Sequence, residues 1–182
     1  MVDKMMRDLG AWSTSYHSEI RRRRWDLSVN APTTAADLYK LVGQSRWIRT
    51  LKVDIKPGKN PEYVAGWKLF QAELAKMQPA STVLISESVT GTPAIFVALY
   101  YKNMAEMDSE TTAVQKALAS DAYRHLAEAT SNSVNQTTWE ILKVRPELSN
   151  PPEEVINADP AFWKPKPPAP PKPKAEATPE KK

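Results

Sequence analysis

Large apolar residues recur at helical spacing through the middle of the chain. Tyr63, Trp67, Phe70, Leu74 and Met77 follow at steps of 4, 3, 4 and 3, which places five bulky groups on one helical face. Asn60-Pro61 supplies the start: Asn caps well, and proline at the first helical position wastes no hydrogen bond. Thr92-Pro93 repeats that opening, and Ile95, Phe96, Leu99, Tyr100, Met104 and Met107 follow on one broad face. Between them, Val83-Leu84-Ile85 would suit a strand, but helical neighbours and a closing Gly91 favour a helix over 81–90. Residues 60–107 are therefore expected to hold the core, as three helices.

The flanks read the same way. Met5, Leu9, Trp12, Tyr16 and Ile20 form one stripe, which predicts a helix over 3–24. After the break at Asn30-Ala31-Pro32, Thr33 or Thr34 caps a short helix that Gly43 ends, and Asp37, three residues after Thr34, imitates a capping box. Trp47, Ile48 and Leu51 predict another turn or two over 45–51, and Val53-Asp54-Ile55 a brief extended piece. An Ala-rich helix is expected from Asp108 to about Thr130, with Val114, Ala117, Leu118, Ala122, Leu126 and Ala129 on its packing side. Another is expected from Asn135 to Val144 around Trp139 and Leu142, and a last turn around Val155 and Ile156. The fold class expected is all-α: an irregular array of about seven helices with an extended Pro/Lys-rich tail.

Composition sharpens the boundaries. A chain of 182 residues suits one domain plus a tail. Six Lys and two Glu in residues 164–182 give the tail 6 − 2 = +4, the net charge of the whole chain, so residues 1–163 sum to zero. That balance argues against the broad basic face of a nucleic-acid-binding domain. Seven of the 16 prolines also lie in 164–182, where an extended or disordered segment is expected. The division is 1–30, an N-terminal helix and Arg-rich connector; 31–158, the helical domain; and 159–182, the tail. No apolar run reaches the ~20 residues of a membrane span. Asp3, Asp8 and Glu19 count against an import presequence, and the N-terminal stretch is read as mature sequence.

Candidate chemistry is sparse. The absence of cysteine excludes disulfides, thiolate metal sites and a Cys nucleophile. His17 and His125 lack partners at metal-ligand spacing. Glu106, Asp108 and Glu110 cluster at a helix junction, where capping and charge balance account for them. No phosphate loop, dinucleotide fingerprint or nucleophile elbow occurs. The expectation is a protein with no enzymatic role and no catalytic, cofactor-binding or metal-ligating residue.

Pairs of helices start near Thr34, Asn60, Thr92 and Asn135, at spacings of 26, 32 and 43; these are too irregular for a clean repeat, but the middle one is near the unit of about 35 residues of helical-hairpin solenoids. The run Pro61-Glu62-Tyr63, Trp67-Lys68-Leu69-Phe70, Leu74, Met77 resembles pentatricopeptide repeats, as does Thr92, Leu99-Tyr100, Asn103-Met104, Met107 more loosely. In size and layout the chain resembles the small helical subunits that decorate the catalytic headpiece of the euglenozoan mitochondrial ATP synthase. That resemblance implies a mitochondrial, matrix-side structural subunit bound to the outer face of an α subunit. The alternatives are pentatricopeptide-like RNA binding, or an accessory role in an organellar ribosome or respiratory complex. The partner contacts expected are Phe162, Trp163, Lys164 and Pro165 at the root of the tail, with Arg21, Arg22, Arg23 and Arg24 second.

Overall fold

β-Branched and aromatic residues concentrate in segments that pair rather than coil. The computed structural model describes residues 18–77 and 81–164. In chain order these form β1 (Arg21–Arg23), α1 (Ala35–Gln44), β2 (Trp47–Ile55), α2 (Asn60–Lys76), β3 (Val83–Ser88) and β4 (Ala94–Tyr101). They continue with α3 (Met104–Leu118), α4 (Asp121–Ser133), β5 (Val134–Lys143), α5 (Glu153–Ala158) and α6 (Pro160–Trp163). The strands make one sheet in the order β1-β3-β4-β2-β5, antiparallel throughout. Helix α2 carries the chain from β2 past β4 to β3, and α3 with α4 carries it from β4 past β2 to β5. This is the split β-α-β-β-α-β arrangement of ferredoxin-like folds, with β1 added at one edge.

The register decides which side chains meet the helices. Val53 pairs with Ile95, Leu51 with Val97 and Ile85 with Val97, so these share one face. Against it α2 sets Tyr63, Trp67, Phe70 and Leu74, all buried, and α4 sets Leu126. The indole Nε1 of Trp67 donates to Leu27 O at 2.9 Å, and Gln71 Nε2 donates to Ser28 O at 2.9 Å, so the segment after β1 is tied to α2. Glu87 on β3 accepts from Arg24 (2.8 Å), Arg22 (3.2 Å) and Asn60 (2.6 Å). Burial works against its charge, but those three donors outweigh burial and hold the carboxyl below its ordinary range.

The expected all-α array is thus overturned by a five-stranded sheet, and the pentatricopeptide-like resemblance with it. The ground for placing the chain on an ATP synthase headpiece goes too. Each wrong helix has a physical reason. Ala94 to Val97 are buried on both faces of the sheet, and a continuous apolar run carries no period to separate strand from helix. In β3 the β-branched Val83 and Ile85 prevail over the helical neighbours. Residues 45–51 and 135–144 lie within or run into β2 and β5, whose inward Trp47, Leu51 and Trp139 also happen to fit helical spacing. The long Ala-rich helix is two helices, broken where Ser120 Oγ accepts from Tyr123 N at 3.2 Å. Helix α3 begins earlier, at an Asn103 cap. Arg21 to Arg23 form a strand rather than a helix end, and Val29 bridges Val83, so the boundary at residue 30 falls within chain already joined to the sheet. Helix α1 starts at its expected cap, with Thr34 Oγ1 accepting from Asp37 N at 3.1 Å, whereas α2 is capped by Lys59 without a side-chain bond and Asn60 is its first residue, donating to Glu87 instead.

Helices α2 and α4 touch at Gly66. A Cβ there would stand 2.8 Å from Ala129 Cβ and 3.3 Å from Leu126 Cα. Gly66→Ala gains about 1 kcal/mol of helix propensity and loses about 1–3 kcal/mol to overpacking. The expected outcome is a lower thermal midpoint; a rise would show that the two helices separate freely.

Candidate functional site

Between the helix-facing side of the sheet and α2, α3 and α4 lies a cavity of about 610 Å³. Leu51, Val53, Val97 and Leu99 form its floor, and aromatic rings from α2 and α4 form much of its wall. Phe70 meets Trp67 edge-on with ring centroids 5.9 Å apart and Tyr123 at 5.6 Å, so the wall is a packed aromatic surface. Because the Trp67 N–H is already bonded to Leu27 O, the indole offers the cavity only its apolar faces.

Polar groups gather at one end: Arg49, Tyr101 and Glu110. Strand pairing explains the first two. Trp47 faces Tyr101 and Arg49 faces Leu99, so Arg49 and Tyr101 are diagonal neighbours on the inward face. Glu110 reaches them from α3. Ser81 Oγ donates to Glu110 Oε1, while Oε2 is shielded from solvent without a partner of good hydrogen-bond geometry. Burial raises the Glu110 pKa above its ordinary value; the Tyr101 hydroxyl and Arg49 oppose the rise, and Glu106 adds to it. Burial, reinforced by Glu110, also pushes the Tyr101 hydroxyl well above its ordinary range despite Arg49, so it stays protonated and donates. The Arg49 guanidinium also lies 4.5 Å from the Trp139 ring centroid on β5.

Two of the three neighbouring acids behave as expected and one does not. Glu106 Oε2 accepts from Lys102 N at 2.6 Å while Asn103 Oδ1 accepts from Glu106 N at 2.9 Å, a reciprocal cap. Asp108 stays exposed. Glu110, one turn beyond Glu106, faces the cavity. Arg49 and Tyr101 were missed because β2 and β4 were not read as strands. Read with period two, Trp47, Arg49, Leu51, Val53 and Ile55 form an inward series with one cation in it, which is the signal that could have found the site.

The expected partner contacts lie elsewhere, and six of them, Arg21 to Arg24, Phe162 and Trp163, make contacts within the chain. Alternation along β1 sends Arg22 and Arg24 to Glu87, whereas Arg21 stacks 3.4 Å over Phe96 and Arg23 lies 5.7 Å from Trp25. Trp163 Nε1 donates to Gly43 O at 2.8 Å, and the Arg46 guanidinium stacks 3.6 Å over Phe162 while pairing with Asp159. Lys164 is exposed. Pro165 and His17 lie outside the described residues. His125 is exposed, 3.7 Å from Glu128. Among the described residues no group of acids and histidines could hold a metal ion, and no helix is long and apolar enough to cross a membrane.

No protein-family model matches the chain, and no curated protein matches it. A solved structure from Lactobacillus acidophilus, provisionally described as a monooxygenase, is similar over 54% of this chain and 44% of its own. Identity is 14% and the TM-score 0.42. The chain thus spans less than half of that structure's length. The expected absence of any enzymatic role is corrected here. It rested on missing motifs, partnerless histidines and acids explained by capping, whereas Glu110 lies in a cleft where burial raises its pKa. The monooxygenase description belongs to that other protein, and the site of this chain stands on its own residues.

Two outcomes follow. A carboxyl whose folded pKa is raised contributes stability below its unfolded pKa and loses it as pH rises through the folded value. Glu110→Gln should therefore raise the thermal midpoint at neutral pH, with the gap closing on acidification; a variant less stable at every pH would mean that the charge is well paired. Replacing Phe162 and Trp163 together by Ala should cost about 1–3 kcal/mol in urea unfolding. Unchanged stability would leave both rings free for a partner.

Proposed function

We propose that this protein binds a small, largely apolar aromatic molecule in the cavity between sheet and helices, with the molecule's oxygen function held by Arg49 and Tyr101 beside Glu110. The observation that carries this is the cavity itself: about 610 Å³, apolar over most of its wall, with three convergent polar groups at one end. Small-molecule sites run from about 300 to 1,000 Å³ with this division of labour. The alternative is a packing defect, but the cavity opens to solvent beside the exposed Leu118 and Trp139 and is no sealed void.

The lining sets the ligand class. Tyr63, Trp67, Phe70, Tyr123 and Trp139 favour a flat ring system. Protonated Tyr101 and cationic Arg49 offer hydrogen bonds to an acceptor, which suits a carbonyl or a phenolic oxygen. Neither the structural-subunit role nor RNA reading is carried forward, since both rested on a helical array that the sheet replaces.

The test uses the neutral dye N-phenyl-1-naphthylamine, followed by its own emission and by quenching of Trp67 and Trp139. Saturable binding is expected. Val114→Trp, which fills the cavity from α3, should weaken binding at least about tenfold, roughly 1.4 kcal/mol, while the melting transition stays cooperative. Absence of dye binding, or binding indifferent to that substitution, would contradict the proposal.

A further inference from the structure

A second cavity of about 480 Å³ adjoins the first and differs from it in character. Its lining includes Asp37 and Lys40 of α1, Lys102 of the turn before α3, Ser81, Ser109 and Glu106. Tyr101 and Glu110 line both cavities. They stand in the wall between a largely apolar chamber beneath the helices, the inner one, and a chamber with more polar groups in its lining, the outer one. Ser81, on the outer side, donates its hydroxyl to Glu110 Oε1, while Oε2 has no partner of good geometry. A carboxyl so placed has one oxygen held by Ser81 from the polar side and the other beside the Tyr101 hydroxyl.

We infer that Glu110 is a proton-transfer group acting on the molecule in the inner chamber, with Ser81 and the outer chamber as the proton's path to solvent. This rests on the ligand-binding reading above. The step balances without any further reactant. A C–H or O–H beside the ligand's oxygen function gives its proton to a Glu110 carboxylate oxygen. The electron pair stays on the ligand and spreads onto its oxygen, where the Arg49 guanidinium and the Tyr101 hydroxyl stabilise the charge. The proton then leaves Glu110 for water in the outer chamber, and the reverse sequence returns it. The charged and titratable groups around Glu110 are Tyr101 from β4, Arg49 from β2 and Glu106 from its own helix, with Asp37, Lys40 and Lys102 on the walls of the outer chamber. Burial raises the carboxyl pKa, the direction that suits a general base.

The experiment uses 2-tetralone, an aromatic ketone with acidic C–H bonds. Its binding is measured by tryptophan quenching, and its deuterium uptake from D₂O by NMR, for the full chain and for Glu110→Gln and Ser81→Ala. The wild-type chain should speed exchange beyond the buffer rate, with one deprotonation governing its pH profile. Glu110→Gln should bind the ketone about as well and lose on the order of 100-fold in exchange. Ser81→Ala should slow exchange less and shift the pH profile. A bound ketone that exchanges no faster than in buffer, or as fast with Glu110→Gln as with wild type, overturns this inference and leaves the ligand-binding reading intact. Loss of ketone binding in Glu110→Gln also overturns it, by making Glu110 a binding group. Failure of the wild-type chain to bind either 2-tetralone or the dye overturns the ligand-binding reading beneath it.

Discussion

Everything in this fold depends on the antiparallel pairing of β4 between β3 and β2. That strand is central, and Ala94, Ile95, Phe96 and Val97 are buried on alternate faces. Side chains alternate with period two, so a slip of one residue would exchange the faces and turn Ile95 and Val97 away from α2. The opposite face is also committed. The Arg21 guanidinium on it lies over Phe96 at 3.4 Å. With both faces filled, the register has one good solution, and α2, α3 and α4 inherit their positions from it.

The site is a consequence of that register. Arg49 and Tyr101 share the inward face because Trp47 pairs with Tyr101 and Arg49 with Leu99. The Asn103 cap starts α3 shortly after β4 ends, and nearly two turns later the helix delivers Glu110 to the same place. Desolvation then does what it does to any poorly paired carboxyl: it disfavours the charge and raises the pKa. The result is a carboxyl in the wall shared by two cavities, one lined more by apolar groups than the other, placed there by strand register and the cap of α3.

What the sequence disclosed was local. Thr34 with Asp37 gave the start of α1, and the Tyr63-Trp67-Phe70-Leu74 stripe gave α2 and its buried face. What it hid was non-local. The run from Ala94 to Tyr101 is apolar on both faces and shows no alternation, and Trp139 on β5 fits either period. The candidate site suffered most. Arg49, Tyr101 and Glu110 are distant along the chain, and only strand pairing brings the first two together. Glu110 was seen as one of three junction acids, but capping explains only Glu106. The aromatic pair Phe162-Trp163 was legible as an anchor; the surface it covers in the structure is the chain's own, at Gly43 and Arg46.

The central claim is that the face of the sheet set by β4 encloses a ligand-binding cavity, and amide NMR of the labelled protein tests it most directly. On titration with N-phenyl-1-naphthylamine, the largest shifts are predicted at Leu51, Val97 and Leu99 on the floor and at Trp67 and Val114 on the wall. Shifts confined to the outer edge of β5 or to residues 160–164, with the floor unmoved, would contradict it.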